Sequence, residues 1–116
     1  MEEVEQDRWR LRHIIESIEY IEEFISDVDK KDMFSDYQLQ SALVRQFEII
    51  GEATRHLSPE IMDKYPEVNW SEAIGMRNIL VHDYFAVNLD ILWDTIKNNI
   101  PVLKKQIVKI LQELKE

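Results

Sequence analysis

Apolar residues recur at helical spacing along most of this 116-residue chain, and this periodicity limits its fold more than any other feature. In the first segment, two sets of apolar residues recur every seven positions: Leu11, Ile18 and Ile25, and beside them Ile14, Ile21 and Val28. Glutamates fill the opposite side, as in an amphipathic helix. No segment alternates convincingly at the period of two that a half-buried strand requires. The pattern predicts an all-α bundle, and the length predicts a single domain over 1–116.

Capping residues and prolines divide the first half into helices. The charged, apolar-poor stretch 27–32 ends the first helix. The Ser35 and Gln38 pair forms a capping box that opens a second helix, which continues to Leu57. Ser58-Pro59 gives an N-cap and an N1 proline to a short helical turn that stops before Pro66.

Two more helices are predicted in the second half. Asn69 caps one, with Glu72 at its N3 position, and this helix runs to about His82. Asn88 begins the last helix, which Pro101 should kink or break because proline lacks the backbone donor and crowds the preceding turn. The prediction is thus four main helices plus a short helical turn, with a kinked C-terminal helix.

Both glycines of the chain fall inside helical patterns, where glycine costs about 1 kcal/mol relative to alanine. A helix that tolerates this cost often does so because another helix approaches closely. Close packing is therefore predicted at Gly51 and at Gly75.

Composition narrows the class of protein. The chain has no cysteine, which excludes disulfides, thiolate metal sites and cysteine nucleophiles. Its start is acidic, without the apolar core of a secretory signal, and no apolar run approaches a membrane span, so a cytoplasmic location without membrane contact is expected. The net charge of −9 lacks the basic footprint of most nucleic-acid-binding proteins, but net charge describes solubility and steering better than it describes a site.

The charge is unevenly distributed. Residues 1–60 carry seven Lys and Arg against fifteen Asp and Glu, whereas residues 61–116 carry seven against eight. Five lysines lie within 97–115, where they form either a solvated helix face or a basic surface for an anionic partner.

One stretch, residues 75–84, places an arginine, an amide, a histidine and a tyrosine among apolar neighbours. On an ideal helix Arg77 and His82 do not share a face, whereas Arg77 and Tyr84 nearly do. Convergence of all three requires a helix that ends near His82, or a second copy of the motif across a dimer. Otherwise His82 and Tyr84 simply close a helix. A histidine that titrates near neutrality beside a permanent cation is the minimum set for metal-free phosphodiester chemistry.

Another polar group lies on the second predicted helix, at spacings of three and four: Arg45, Glu48, Glu52 and Arg55. These residues form either a salt-bridged helix face or a support that positions Arg77 and His82 from a neighbouring helix. The three histidines, at positions 13, 56 and 82, lack the i, i+4 pairing of a helical metal site.

The motif Arg77-x4-His82-x-Tyr84, within GMRNILVHDYF, resembles the signature of the HepT-like branch of the HEPN ribonuclease superfamily. The resemblance covers nearly the whole chain, with further blocks in order: RWRLRHIIESIEYIEEF, VRQFEIIGEATRHL, YPEVNW and VNLDILWDTIKNNIPVLKKQI.

This resemblance implies a HEPN-type helical homodimer that acts as the toxin of a toxin–antitoxin pair and cuts RNA without a metal or cofactor. His82 would be the general base for the ribose 2′-hydroxyl, and Arg77 would stabilise the charge of the transition state. Asn78 would hold the phosphate or orient the histidine, and Arg45 and Glu52 would support the site.

The family also implies a protein partner, a small nucleotidyltransferase antitoxin of the MntA type. This partner would transfer AMP from ATP to Tyr84, the tyrosine of the motif, and so exclude RNA from the site. Two other functions remain open at this point: a non-catalytic helical dimer that is the binding partner or modification target of a nucleotidyltransferase, and an RNA-binding module without cleavage.

Overall fold

The computed structural model describes residues 2–78 and 88–114, and within these ranges the chain forms helices and no strand. The helices are α1 (Glu3–Phe24), α2 (Lys30–Phe34), α3 (Tyr37–Arg55), α4 (Pro59–Lys64), α5 (Trp70–Gly75), α6 (Leu89–Asp94), a π-helical segment (Thr95–Asn99) and α7 (Ile100–Leu114). The predicted all-α fold is confirmed. No helix in the described ranges has the length and apolar character needed to cross a bilayer.

Helix α3 lies between α1 and α5, and α1 packs in turn against α7. The seven-residue pattern of the first segment forms one side of the core, because four of its residues are fully buried: Leu11, Ile14, Ile18 and Ile21. Ile25 and Val28 lie beyond the end of α1, yet both are partly buried against the same core. The periodicity therefore identified the buried face correctly and extended the helix by about one turn too many.

The start of the second main helix was predicted one residue too early. Asp36, not Ser35, is the N-cap of α3, and its side chain accepts a hydrogen bond from the backbone N–H of Leu39 at 3.0 Å. Ser35 instead ends α2, a five-residue helix that the sequence pattern missed, and its hydroxyl donates to the carbonyl oxygen of Asp32. A helix this short has too few residues to show a periodicity, and its cap, Asp29, stands in the charged stretch that was expected only to end α1.

Three other predicted N-caps are confirmed by side-chain hydrogen bonds. Ser58 accepts from the N–H of Ile61, Asn69 from that of Glu72, and Asn88 from that of Ile91. Each cap satisfies a backbone donor that the helix leaves without an internal partner.

Helix α5 does not run to about His82 as predicted. Its last residue is Gly75, and the chain continues through a turn in which the N–H of Asn78 donates to the carbonyl oxygen of Gly75 at 2.9 Å. A Cβ at position 75 would meet no described atom within 4 Å, so the predicted close packing is not found among the described residues there. Gly75 ends a helix, where its low helical propensity is tolerated.

Pro101 interrupts the last helix, as predicted, through a π-helical turn. The N–H of Ile100 donates to the carbonyl oxygen of Thr95, five residues back, and α7 begins directly afterwards. The wider turn gives the proline ring room beside the preceding carbonyl groups, which crowd it in a regular α-helix.

Tyr65 ties the connection between α4 and α5 to α7. Its buried hydroxyl donates to Oε1 of Glu113 at 2.7 Å, and its carbonyl oxygen accepts from the indole N–H of Trp70 at 2.9 Å. Burial, together with the hydrogen bond to Glu113 and the charge of that carboxylate, raises the pKa of Tyr65 to about 12.

We expect this shift to make stability fall at high pH. Because the pKa of Tyr65 is raised from 10.0 to about 12 on folding, its contribution is complete below pH 10 and is lost as the pH rises through 12. Denaturant unfolding between pH 8 and about pH 12 should show a steeper loss of stability in the wild type than in Tyr65→Phe. Tyr37→Phe, which changes a tyrosine that is 79% exposed, should follow the wild type. Parallel profiles for the wild type and Tyr65→Phe would contradict the assignment.

Candidate functional site

Arg77 lies in the turn after α5, and its side chain reaches across to α3. Its Nη1 atom is 2.9 Å from Oε1 of Glu52, and the two side chains are 37% and 53% exposed. The pair joins residues that are 25 positions apart in the sequence. Arg77 is therefore oriented by a carboxylate while its side chain remains partly exposed.

Gly51 makes this arrangement possible. A Cβ at position 51 would lie 2.7 Å from both the Cβ and the backbone nitrogen of Arg77, and 2.9 Å from the carbonyl oxygen of Ile74. Such distances are too short for real Cβ contacts, so only glycine lets the backbone of Arg77 lie against α3. The predicted close packing at Gly51 is confirmed. Two adjacent residues of α3 thus position Arg77, one through its backbone and one through its side chain.

Glu52 also contacts two basic side chains at the C-terminal end of α3. Arg55 donates from Nε to Oε1 at 3.3 Å, and Nδ1 of His56 lies 3.6 Å from Oε2. The same Nδ1 atom is 2.9 Å from the carbonyl oxygen of Glu52. Desolvation alone would raise the pKa of the Glu52 carboxyl, but the hydrogen bond from Arg77 and the charge and hydrogen bond of Arg55 outweigh it and lower this pKa.

The titration of Glu52 should report the ion pair directly. We expect its pKa to lie below the ordinary 4.5, so the stability that the pair contributes is present above that pH and is lost as the pH falls through the lowered pKa. In Arg77→Ala the pKa of Glu52 should rise, whereas in Arg12→Ala it should not change. Carbon-13 NMR of the side-chain carboxyl measures both midpoints, and an equal midpoint in the wild type and Arg77→Ala would refute the pairing.

Arg45, the other predicted supporting residue, belongs to a different pair. Its Nη1 atom is 3.7 Å from Oε1 of Glu48, and its side chain is 69% exposed. It lines a groove between α1 and α3 that Glu52 also lines. The sequence left two alternatives for this polar group, a salt-bridged helix face or a support for Arg77 and His82. Arg45 and Glu48 form a salt-bridged face, whereas Glu52 bonds to Arg77 on the neighbouring segment.

The structure places the remaining candidate residues unequally. Asn78 follows Arg77 in the turn and is exposed. His82 and Tyr84 lie outside the described residues. Because α5 ends at Gly75, the helical spacing argument for Arg77 and Tyr84 does not apply to the described part of this segment.

Sequence reasoning missed the groove itself. His13 and His56 stand 43 positions apart in the sequence, yet packing of α1 on α3 brings both into its lining together with Trp9. A local signal was present, because Trp9 and His13 are four residues apart on one helix, and their ring centroids are 4.2 Å from each other. Among the described residues, no three His, Asp or Glu side chains are grouped so as to hold a metal ion.

The described part of the chain is thus an all-α fold in which a carboxylate on one helix fixes a partly exposed arginine of another segment. The family model for the HepT-like ribonucleases ("Ribonuclease HepT-like") matches residues 14–110, and the chain belongs to this family. No solved structure gives a significant match.

Several proteins similar to this chain are named as ribonucleases. The chain is 46% identical over 104 residues to a protein of Methanocaldococcus jannaschii named as a gamma-glutamylcyclotransferase and predicted RNase; the match covers 90% of this chain and 47% of that protein. It is 43% identical over 105 residues to a protein of Caldanaerobacter subterraneus subsp. tengcongensis named as a predicted RNase, covering 90% and 94%. It is 40% identical over 100 residues to a protein of Thermococcus cleftensis named as a predicted HepT ribonuclease, covering 86% and 91%.

Proposed function

We propose that this protein is a metal-independent endoribonuclease that acts as the toxin of a toxin–antitoxin pair in the cytoplasm. Membership of the HepT-like ribonuclease family supports the reaction class. The observation that carries the proposal is the position of Arg77, held by Glu52 at 2.9 Å and by the close approach at Gly51. A guanidinium has five donors in a planar fork, so an ion pair through Nη1 leaves enough of them for a bidentate contact with a phosphate.

In this mechanism His82 removes the proton from a ribose 2′-hydroxyl. The 2′-oxygen attacks the adjacent phosphorus, and the bond from phosphorus to the 5′-oxygen breaks. The leaving 5′-oxygen takes a proton from the imidazolium of His82, so the products are a 2′,3′-cyclic phosphate and a 5′-hydroxyl. Arg77 stabilises the negative charge that builds up on the phosphoryl oxygens, and Asn78 holds the phosphate beside it.

The charge of the chain bears on how RNA binds. Since the net charge is −9, binding along the whole surface is disfavoured and affinity is confined to the site. A homodimer would place two copies of the motif in one cleft, and the proposed active species is this dimer without a cofactor.

Cleavage by purified protein in the presence of EDTA tests the activity. The preparation must be free of adenylyl groups by intact mass, and the product ends are identified by their sensitivity to phosphatase and kinase. Wild type should yield 2′,3′-cyclic phosphate ends, and His82→Ala should yield none. Equal cleavage by the two proteins, or no cleavage by either, would overturn the proposal.

The proposed antitoxin is an MntA-type nucleotidyltransferase that transfers AMP from ATP to the hydroxyl oxygen of Tyr84 and releases pyrophosphate. In this proposal the resulting phosphodiester brings negative charge and bulk into the RNA-cleaving site. There it would compete with an RNA phosphate for Arg77. Co-expression with an MntA-type nucleotidyltransferase should add AMP to the wild type but not to Tyr84→Phe. An adduct that persists in Tyr84→Phe would exclude this residue.

The acidic surface of residues 1–60 favours a second candidate, a non-catalytic dimer that serves as a partner or modification target of the nucleotidyltransferase. Growth arrest on expression distinguishes the two functions. Arrest that survives both Arg77→Ala and His82→Ala supports the non-catalytic dimer, and arrest that both substitutions abolish supports the ribonuclease.

A further inference from the structure

The groove between α1 and α3 has a volume of about 310 Å³ and lies beside Arg77, because Glu52 both lines the groove and bonds to Arg77. We propose that this groove binds one unpaired nucleotide of the RNA next to the position of cleavage. Its base stacks on Trp9 and His13, and Arg10 and Arg45 contact the flanking phosphates. This inference rests on the proposed function and specifies how that site holds its substrate.

The aromatic pair provides the surface for the base. Trp9 is 51% exposed although tryptophan is among the most apolar residues, and its indole lies against the ring of His13 with the planes at 44°. Unpaired bases in RNA stack on such side chains, and each stacking contact is typically worth a loss of about tenfold in affinity when the aromatic residue is replaced by alanine. The volume lies near the lower end of the range of about 300–1,000 Å³ for small-ligand sites, which fits one base rather than several.

The groove carries as many arginines as carboxylates, although this half of the chain is acidic. Two arginines and two histidines line it, with two carboxylates: Arg10, Arg45, His13, His56, Glu48 and Glu52. Glu52 is engaged by Arg77 and Arg55, whereas Glu48 is paired with Arg45 alone. The pair of Arg45 with Glu48 is long, at 3.7 Å, and exposed, so Arg45 can turn to a phosphate at little cost.

Position joins these features to the proposed chemistry. Glu52 lines the groove and also holds Arg77, so in this proposal a strand whose scissile phosphate meets Arg77 places a neighbouring nucleotide in the groove, toward Trp9. A base that enters the groove must be unpaired. The enzyme should therefore prefer single-stranded RNA, which supplies such bases without the cost of opening a helix.

Equilibrium binding of a short fluorescent oligoribonucleotide tests the groove in a His82→Ala background, in which cleavage is blocked. Adding Trp9→Ala should weaken binding about tenfold, and Trp9→Phe should restore most of the affinity because phenylalanine also stacks. Tyr37→Ala is the matched control, since it removes a more exposed aromatic side chain at the other end of α3. RNA with one abasic residue should bind equally well to the protein with Trp9 and to the Trp9→Ala variant, but only when the missing base is the one that enters the groove.

Salt dependence tests the phosphate contacts. A plot of log affinity against log salt concentration has a negative slope. Arg45→Ala and Arg10→Ala should each make this slope less steep by about 0.7, the value for one contact with a single strand. Arg12 is the control, because it lies on α1 but lines a different cavity, with Arg8 and Val108. Arg12→Ala should leave the slope unchanged.

The outcomes separate this inference from the proposed function. Unchanged RNA affinity in Trp9→Ala and Arg45→Ala, with cleavage by the wild type intact, would overturn the groove and leave the ribonuclease standing. Affinity that depends on Trp9 in a protein that cuts no RNA would uphold the groove as an RNA site and overturn the catalytic proposal. Sedimentation that shows a change of oligomeric state in Trp9→Ala would overturn the groove as an RNA site, because its occupant would then be a second copy of the chain.

Discussion

Arg77→Ala should slow RNA cleavage by about 100- to 1,000-fold, the loss expected when one preorganised donor to a developing oxyanion is removed. Arg77 is positioned by the backbone contact at Gly51 and by the ion pair with Glu52. Its side chain therefore needs little rearrangement when negative charge develops on the phosphoryl oxygens. The effect should fall on the rate at saturating RNA, measured in single-turnover reactions. Stability should change little, because the side chain is partly exposed and Glu52 keeps its contact with Arg55.

Two further variants sharpen this prediction. Arg77→Lys keeps the charge but loses the planar fork, and should recover only part of the rate. Arg12→Ala removes the same single positive charge at an exposed position of α1, and should cleave as the wild type does. A loss of less than tenfold in Arg77→Ala would show that Arg77 does not stabilise the transition state.

Gly51→Ala should destabilise the fold by about 1–3 kcal/mol, the usual cost of forcing an extra carbon into a packed contact. Helix propensity predicts the opposite sign, a gain of about 1 kcal/mol for alanine over glycine inside a helix. The clash should prevail because two of the three atoms that the new Cβ would meet belong to the backbone, the nitrogen of Arg77 and the carbonyl oxygen of Ile74. These atoms cannot rotate away as a side chain can, so the turn that carries Arg77 must shift and cleavage should fall with stability.

Gly75→Ala is the matched control for this prediction. A Cβ there meets no described atom within 4 Å, so the substitution should leave stability unchanged or raise it by up to about 1 kcal/mol. Chemical denaturation of both variants measures the difference. If Gly51→Ala proves as stable as Gly75→Ala, the close approach of α3 to Arg77 is not a constraint on the fold.

Local patterns predicted the helical fold well where a residue acts on its near neighbours. The caps at Ser58, Asn69 and Asn88 are confirmed because each bonds to a backbone group three residues away. The predictions failed where two adjacent residues could both be the N-cap, as at Ser35 and Asp36. They also failed where a helix is too short to show a periodicity, as in α2.

The site was only partly predictable for a different reason. Glycine inside a helix pointed to a close approach at Gly51, and a support for Arg77 from Glu52 was one of two alternatives. The sequence did not show that the backbone of Arg77 is what approaches Gly51. The ion pair of Glu52 with Arg77 spans 25 positions, and the groove joins residues of α1 and α3, so both depend on packing rather than on spacing. The roles of His82 and Tyr84 rest on the family motif and stay predictions.

The π-helical turn at Thr95–Asn99 has a consequence for how the length of this chain can vary. Leu92, Ile96 and Ile100 are all buried although they are spaced by four residues twice, a spacing that drifts by about 40° per step on a regular α-helix. The wide turn absorbs this surplus residue and returns α7 to the core in register. Loss of one residue within the π turn would convert it to α-helix and keep the buried face of α7 in place. Loss of one residue within 104–109 would rotate everything beyond it by about 100° and turn that face toward solvent. Deletion of one residue should therefore be tolerated within Thr95–Asn99 and not within 104–109.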